Sequence, residues 1–327
     1  RTISGALFVA IMVAGFLRPT AMMFLFTLIT GMAIWEFTGL INEREGVTVN
    51  RFICSAAGMF LNLAMAGFCS GLTPAIVFIP YLITIIYLFV SELYLKQEDP
   101  IHDWAYAMMS QLYIALPFSC INILAYTSGE FYWLMPLSIF IFLWCNDTGA
   151  YIVGSLIGKH KLFPRVSPGK SWEGSIGGAI VVLLVAAVVG HIVENGLLKD
   201  IVPVFARPMG MGPLQWMGLG LVVVVFGTLG DLVESLFKRT LGIEDSGSTL
   251  PGHGGMLDRI DSLLFLFIFF KRLITSFAVS SSKADVGSSA KITLGLLISA
   301  RAMATRCFSP PDNTEDFELI NEITSLT

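Results

Sequence analysis

The sequence predicts an all-α, polytopic integral membrane protein of about nine transmembrane helices, with a C-terminal catalytic half. Three observations carry that prediction. Hydrophobic residues make up 55% of the chain and charged residues 13%, where a soluble domain carries about 25% charged residues. The mean hydropathy is +0.75. Apolar windows also recur along the chain at close to the roughly 20 residues that cross a bilayer.

The windows fall at about 3–17, 21–40, 52–70, 75–95, 105–127, 131–157, 176–193, 213–241 and 260–278. The first lacks a small-residue cleavage site and is followed at once by a second span, so it reads as a helix rather than a signal peptide. Placing the N-terminus inside puts Arg1, Arg44, Arg51, Lys96, Lys159, Lys161, Arg165, Lys170, Lys238, Arg239 and Arg259 on the inner side. Only Arg18, Lys199 and Arg207 then lie outside, 11 against 3. The positive-inside rule therefore predicts a cytoplasmic N-terminus and cytoplasmic charged loops. The last window is interrupted by Lys271 and Arg272 after about ten apolar residues, which makes it a poor span.

Three regions differ in character. Residues 1–127 are apolar spans with short connections and read as a transmembrane scaffold. Residues 128–278 hold nearly all the unusual polar residues. Residues 279–327, from "SSSKADVGSSAK" onward, form a polar, acidic tail expected to be poorly ordered. Cys54, Cys69, Cys120, Cys145 and Cys307 form no CxxC pair and mostly sit in apolar runs, so they read as small hydrophobes.

Four constellations stand out in the second region. In "WCNDTGAYIVGSLIG", Asp147 follows an unbroken apolar run. An ionisable group at that depth usually faces protein or a wet cavity, the plain alternative being an aspartate at a helix end. The loop "GKHKLFPRVSPGKSWEGS" (158–175) carries Lys159, Lys161, Arg165 and Lys170, with Ser171 adjoining. It would suit anionic headgroups or a polyphosphate, or serve only as a topology signal. Its "SPGKSWEG" lacks the spacing of a Walker A loop.

In "GDLVESLFKRTLG" (230–242), Asp231, Glu234, Ser235, Lys238 and Arg239 fall on one helical face. An interfacial amphipathic helix explains the two cations but not the acids one to two turns deeper. In "PGHGGMLDRID" (251–261), a helix starting near Met256 would put Asp258 and Asp261 on one face with Arg259 beside them. The glycines there allow backbone N–H groups to approach a phosphate. Carboxylates with few histidine or cysteine companions favour a hard cation such as Mg²⁺. Together these features point to phosphoryl or nucleotidyl transfer to a lipid.

The stretch "SLFKRTLGIEDSGSTLPGHGGMLDRID" (235–261) resembles the signature of the phosphatidate cytidylyltransferases, the CDP-diacylglycerol synthases. Ser235, Lys238, Arg239, Asp245, His253, Gly254, Gly255, Asp258, Arg259 and Asp261 match it. Glu244 departs, standing where that family carries lysine. "NDTGAY" and "SPGKSWEG" resemble further family elements, so the likeness covers roughly 1–265.

The resemblance implies Mg²⁺-dependent transfer from CTP to phosphatidate, giving CDP-diacylglycerol and diphosphate. It implies metal binding by Asp231 and Asp258, with Asp261 as a third carboxylate. Phosphate contacts follow from Lys170, Lys238, Arg239 and Arg259, with His253, Gly254 and Gly255 as the nucleotide-phosphate turn. Ser171, Asp245 and Asp147 join the substrate-binding set. CTP, phosphatidate and membrane lipid are the expected partners, with no nucleic acid and with a homodimer left open. A bacterial inner membrane is the expected location. The tail is a second departure, since the family generally ends soon after the helix that follows the signature. Two rivals remain: a CTP-dependent lipid kinase, and a transporter using Asp147, Asp231 and Lys238 as a relay.

Overall fold

Ten α-helices and one small hairpin make up the computed structural model, which describes residues 2–95, 97–196, 209–243, 245–247, 254–259 and 261–264. The helices are α1 (Thr2–Phe16), α2 (Pro19–Ile41), α3 (Arg51–Cys69), α4 (Ile79–Leu95), α5 (Pro100–Met109), α6 (Leu116–Ala125), α7 (Leu134–Ile157), α8 (Trp172–Glu194), α9 (Pro213–Leu241) and the short α10 (Asp261–Leu264). The antiparallel strands β1 (Lys161–Phe163) and β2 (Ser167–Ser171) lie between α7 and α8.

Among the described residues seven segments are long and apolar enough to cross a membrane. They coincide with seven of the nine apolar windows. Helix α1, at 15 residues, is shorter than a full span. Most of the 260–278 window, with Lys271 and Arg272, lies outside the described residues, as do the 279–327 tail and the outer-loop Lys199 and Arg207.

Local chemistry sets the helix ends. Pro19 opens α2 at a position where its missing N–H is no loss. The Asn50 side chain accepts the Ile53 amide and starts α3, and Asp99 does the same for His102 at α5. Between α5 and α6, Ser110–Ala115 form a widened π turn. Pro117 follows it directly and has no N–H to give to the carbonyl four residues back.

The core is aromatic where α1, α2, α6 and α7 meet. Phe16 packs on Phe26 and Phe140 with ring centroids 5.4 and 5.2 Å apart. Buried amide chemistry adds specificity: Thr27 donates to Asn62 Oδ1 at 3.2 Å, and Asn62 donates to the Phe118 carbonyl at 3.3 Å. Phe37 of α2 stacks on Phe237 of α9 at 5.3 Å, fixing the ends of these two helices side by side. Helix α4 turns most of its apolar side chains outward, including Ile83, Ile86 and Leu93, as a lipid-facing helix does.

Helices α7 and α8 meet backbone to backbone. A Cβ on Gly174 would sit 2.8 Å from the Ala150 carbonyl oxygen, and one on Gly178 would sit 2.7 Å from that of Asn146. Small residues allow this close approach where lipid supplies no hydrophobic drive between helices.

Candidate active site

The polar face of α9 forms as its spacing predicts. Ser235 donates to Asp231 Oδ1 at 3.3 Å, and Lys238 Nζ lies 2.9 Å from Glu234 Oε2. The Glu234 side chain is 2% exposed, so its partner must compensate a large desolvation cost. Arg239, one residue further on, is exposed. The helix ends at Gly242, whose φ of 70° is the left-handed cap that glycine adopts without strain. Lys238 and Arg239 thus occupy the last turn, where cations complement the helix dipole.

Lys238 also reaches Asp258 Oδ1 at 3.2 Å. Asp258 accepts the Gly255 amide at 2.7 Å and the Ser246 amide at 3.0 and 3.1 Å. Burial pushes its pKa up. Hydrogen bonds with Glu234 and the two amides, together with the Lys238 charge, outweigh this and hold it below the usual carboxylate range. Gly254 has φ of 80°, and a Cβ there would run into Asp258 Oδ2 at 2.5 Å. The turn therefore needs glycine at this position.

Two expectations change here. Asp258 lies in a 3₁₀ turn, Leu257–Arg259, and Asp261 opens a separate helix, so the pair does not share one helical face. The Asp258 carboxylate folds back onto amides of its own loop, and such local bonds compete with helix continuation. For the same reason the Gly255 amide, expected to face a phosphate, is taken by Asp258.

The hairpin delivers Lys170 to α9, where it forms an ion pair with Asp231. Ser171, expected at the substrate, is 5% exposed and turned inward. Its Oγ accepts the Gly174 amide at 3.2 Å and caps α8, so its role is structural. Asp147 of α7 is accessible yet within electrostatic range of Asp231 and Lys170. Asp245 is exposed, and its Oδ1 would lie 3.3 Å from a Cβ on Gly254.

One residue of this cluster was absent from the sequence candidates. Glu36 of α2 accepts the Leu257 amide at 3.0 Å through Oε2. The same oxygen would lie 2.7 Å from a Cβ on Gly255. The N-terminal helices therefore touch the turn that holds Asp258. A lone acid five residues before the end of an apolar helix was the only sequence signal.

His253 and Glu244 lie outside the described residues. Arg259 and Asp261 are placed by their backbones alone, closing the 3₁₀ turn and opening α10.

Among the described residues no three carboxylate, imidazole or thiolate side chains converge as a metal-holding group. Asp231 and Asp258 are each paired with a lysine, Lys170 and Lys238. The donors are nevertheless oxygen, the type that suits a hard cation. Carboxyls also outnumber ammonium groups, with Glu36, Asp147, Asp231, Glu234 and Asp258 against Lys170 and Lys238.

Residues 1–277 match the cytidylyltransferase family. A phosphatidate cytidylyltransferase of Haemophilus influenzae is 44% identical over 146 residues, 44% of this chain and 47% of that protein. One from Staphylococcus haemolyticus is 40% identical over 173 residues, covering 52% and 59%. One from Staphylococcus aureus is 38% identical over 171 residues, again 52% and 59%. The chain thus spans about half the length of the relatives it matches.

Proposed function

The chain belongs to the cytidylyltransferase family, and from that premise we propose that it transfers a cytidylyl group from CTP to phosphatidate. The products are CDP-diacylglycerol and diphosphate. The relatives' names support phosphatidate as the acceptor. The observation that carries the reading is Lys238, held between Glu234 and Asp258 at the end of a spanning helix. That places cations and carboxylates where a membrane lipid's phosphate can meet a water-soluble triphosphate.

The phosphatidate phosphate is already anionic and attacks the α-phosphorus of CTP, while diphosphate leaves. No strong base is needed, so positioning and electrostatics carry the catalysis. Lys170 and Lys238 supply ammonium charge to the phosphates from two different elements, and Arg239 extends that charge beyond the last turn of α9. Glu234 and Asp258 hold the Lys238 ammonium in place. Mg²⁺ held by Asp231 and Asp258, with Asp261 as third carboxylate by family likeness, would neutralise charge developing on the transferring group. The positive-inside count supports a cytoplasmic site, with the protein in a bacterial inner membrane.

The test is detergent-solubilised protein with CTP, phosphatidate and Mg²⁺, analysed for nucleotide products. CDP-diacylglycerol with diphosphate is expected. Release of CDP with a phosphorylated lipid would identify a kinase instead, and absence of CTP turnover would overturn both readings.

A further inference from the structure

Helices α2 and α3 leave an open groove of about 620 Å³ between them. Its walls include Leu28 and Trp35 from α2 and Phe52, Ala56 and Met59 from α3, with Glu36 at one end. Trp35 and Phe52 are 46% and 73% exposed, so the groove opens toward the surface that lipid covers. From Leu28 to Glu36 it runs roughly 12 Å along the helix, at 1.5 Å per residue. An apolar groove alone would hold any lipid chain, because hydrocarbon gains nothing by moving from bilayer to protein. Three polar features at one end distinguish this one.

Arg51, the first residue of α3, lays its guanidinium 4.2 Å above the Trp35 ring and donates to the Trp35 carbonyl at 2.9 Å. No carboxylate pairs with it among the described residues, and its Nε has no hydrogen-bond partner there. Ser55, one helical turn deeper on the same side of α3, lines the groove. Its hydroxyl is buried with no hydrogen-bond partner, and rotation about one bond turns it toward the groove. Glu36 closes that end and is bonded to the Leu257 amide beside Asp258.

Cation, hydroxyl donor and apolar trough therefore follow one another in the order phosphate, ester and chain of an acylglycerol phosphate. We propose that the α2–α3 groove seats one acyl arm of the phosphatidate substrate, with its ester carbonyl accepting from Ser55 and its phosphate beside Arg51, a step that rests on phosphatidate being the lipid acceptor. The lipid enters the site from the α2 side, at the end of the groove that Glu36 shares with the Asp258 turn. Ser55 and Arg51 act on binding, and the phosphoryl chemistry stays with the α9 cluster.

Ala56 is exposed in the trough, so Ala56→Phe fills it without disturbing the core. In mixed micelles with CTP and dioleoyl-phosphatidate, that variant should raise the lipid KM about fivefold while the CTP KM stays within about twofold, the signature of lost lipid binding alone. Ser55→Ala and Arg51→Gln should move the lipid KM in the same direction. Ile86→Phe, on the outward face of α4, is the control for added bulk at the lipid surface. A phosphatidate carrying a diazirine in its acyl chain supplies a readout that needs no turnover. It should label α2 and α3 peptides, be competed by unlabelled phosphatidate, and lose that labelling in Ala56→Phe. An unchanged lipid KM in all three groove variants, or labelling that phosphatidylcholine competes equally well, would overturn the groove as a substrate seat. A parent protein that makes no CDP-diacylglycerol yet labels competitively would instead overturn the proposed reaction and leave the lipid seat standing.

Discussion

Glu36 and the Leu257 amide are hydrogen-bonded at 3.0 Å although 221 residues separate them in the chain. The bond ties the second helix to the turn that aims Asp258 at Lys238. Glu36→Ala leaves that amide without its acceptor, and we expect kcat/KM to fall about tenfold, or about 1.4 kcal/mol. Glu36→Gln keeps a carbonyl oxygen at the same reach and should stay within about threefold of the parent. Steady-state kinetics on both, with melting followed in detergent, separates a positioning role from a loss of fold.

Asp231 and Asp258 carry the two carboxylates assigned to the metal. Asp231→Asn and Asp258→Asn should each lower turnover by about a hundredfold or more, the scale of losing a main electrostatic group. Their stabilities should differ. Asp258 collects two amides and Lys238, so its variant should lose about 1–3 kcal/mol of stability. Asp231→Asn should melt close to the parent. Near-parental turnover in both variants would remove the metal assignment.

The buried Asp103 accepts the Thr48 amide at 2.7 Å and the Thr48 hydroxyl at 3.2 Å, pinning the α2–α3 connection to the start of α5. Asp103→Ala orphans that amide and should cost about 1–3 kcal/mol. Thermal unfolding in detergent reads the loss, and an unchanged melting temperature would show the contact to be dispensable.

On the α7–α8 seam, Gly174→Val would drive a side chain into the Ala150 carbonyl oxygen, which as backbone cannot step aside. Folded yield should collapse, since overpacking against a fixed neighbour costs about 1–3 kcal/mol or more. Gly169→Ala, in β2 with nothing within 4 Å of its new Cβ, should express and melt like the parent. Size-exclusion recovery of the two proteins checks both halves.

The family match ends at residue 277, and residues 278–327 form a unit of their own. Truncation after Phe277 should keep specific activity within about twofold, as expected for a terminal segment with few ties to the rest. A folded but inactive truncated protein would show that the tail takes part.

Periodicity made much of this legible. Seven spans could be read because an apolar run of bilayer length has few other uses, and the α9 face because a 3.6-residue repeat placed Asp231, Ser235, Glu234 and Lys238 together. What stayed hidden depends on bonds that no local pattern encodes. Ser171 sits beside Lys170 and shares its motif, yet its hydroxyl caps α8 while the lysine reaches α9. Asp258 and Asp261 have helical spacing, but the carboxylate prefers amides of its own loop to a continuous helix. Glu36 could not be singled out because its partner exists only after nine helices have been arranged.

The π turn at Ser110–Ala115 gives the segment from α5 to α6 one more residue than a regular helix of the same rise would need. Removing a single residue there would let the turn close into ordinary α-helix. Everything beyond it would then rotate by about 100°, one residue's share of a 3.6-residue turn. Phe118 would swing away from Phe26, and its carbonyl would leave Asn62. The length of this stretch is therefore held more tightly than its spelling. Exchanges of one apolar side chain for another should be absorbed, whereas a one-residue gap at this point in a related chain would mark a bundle with a differently registered α6.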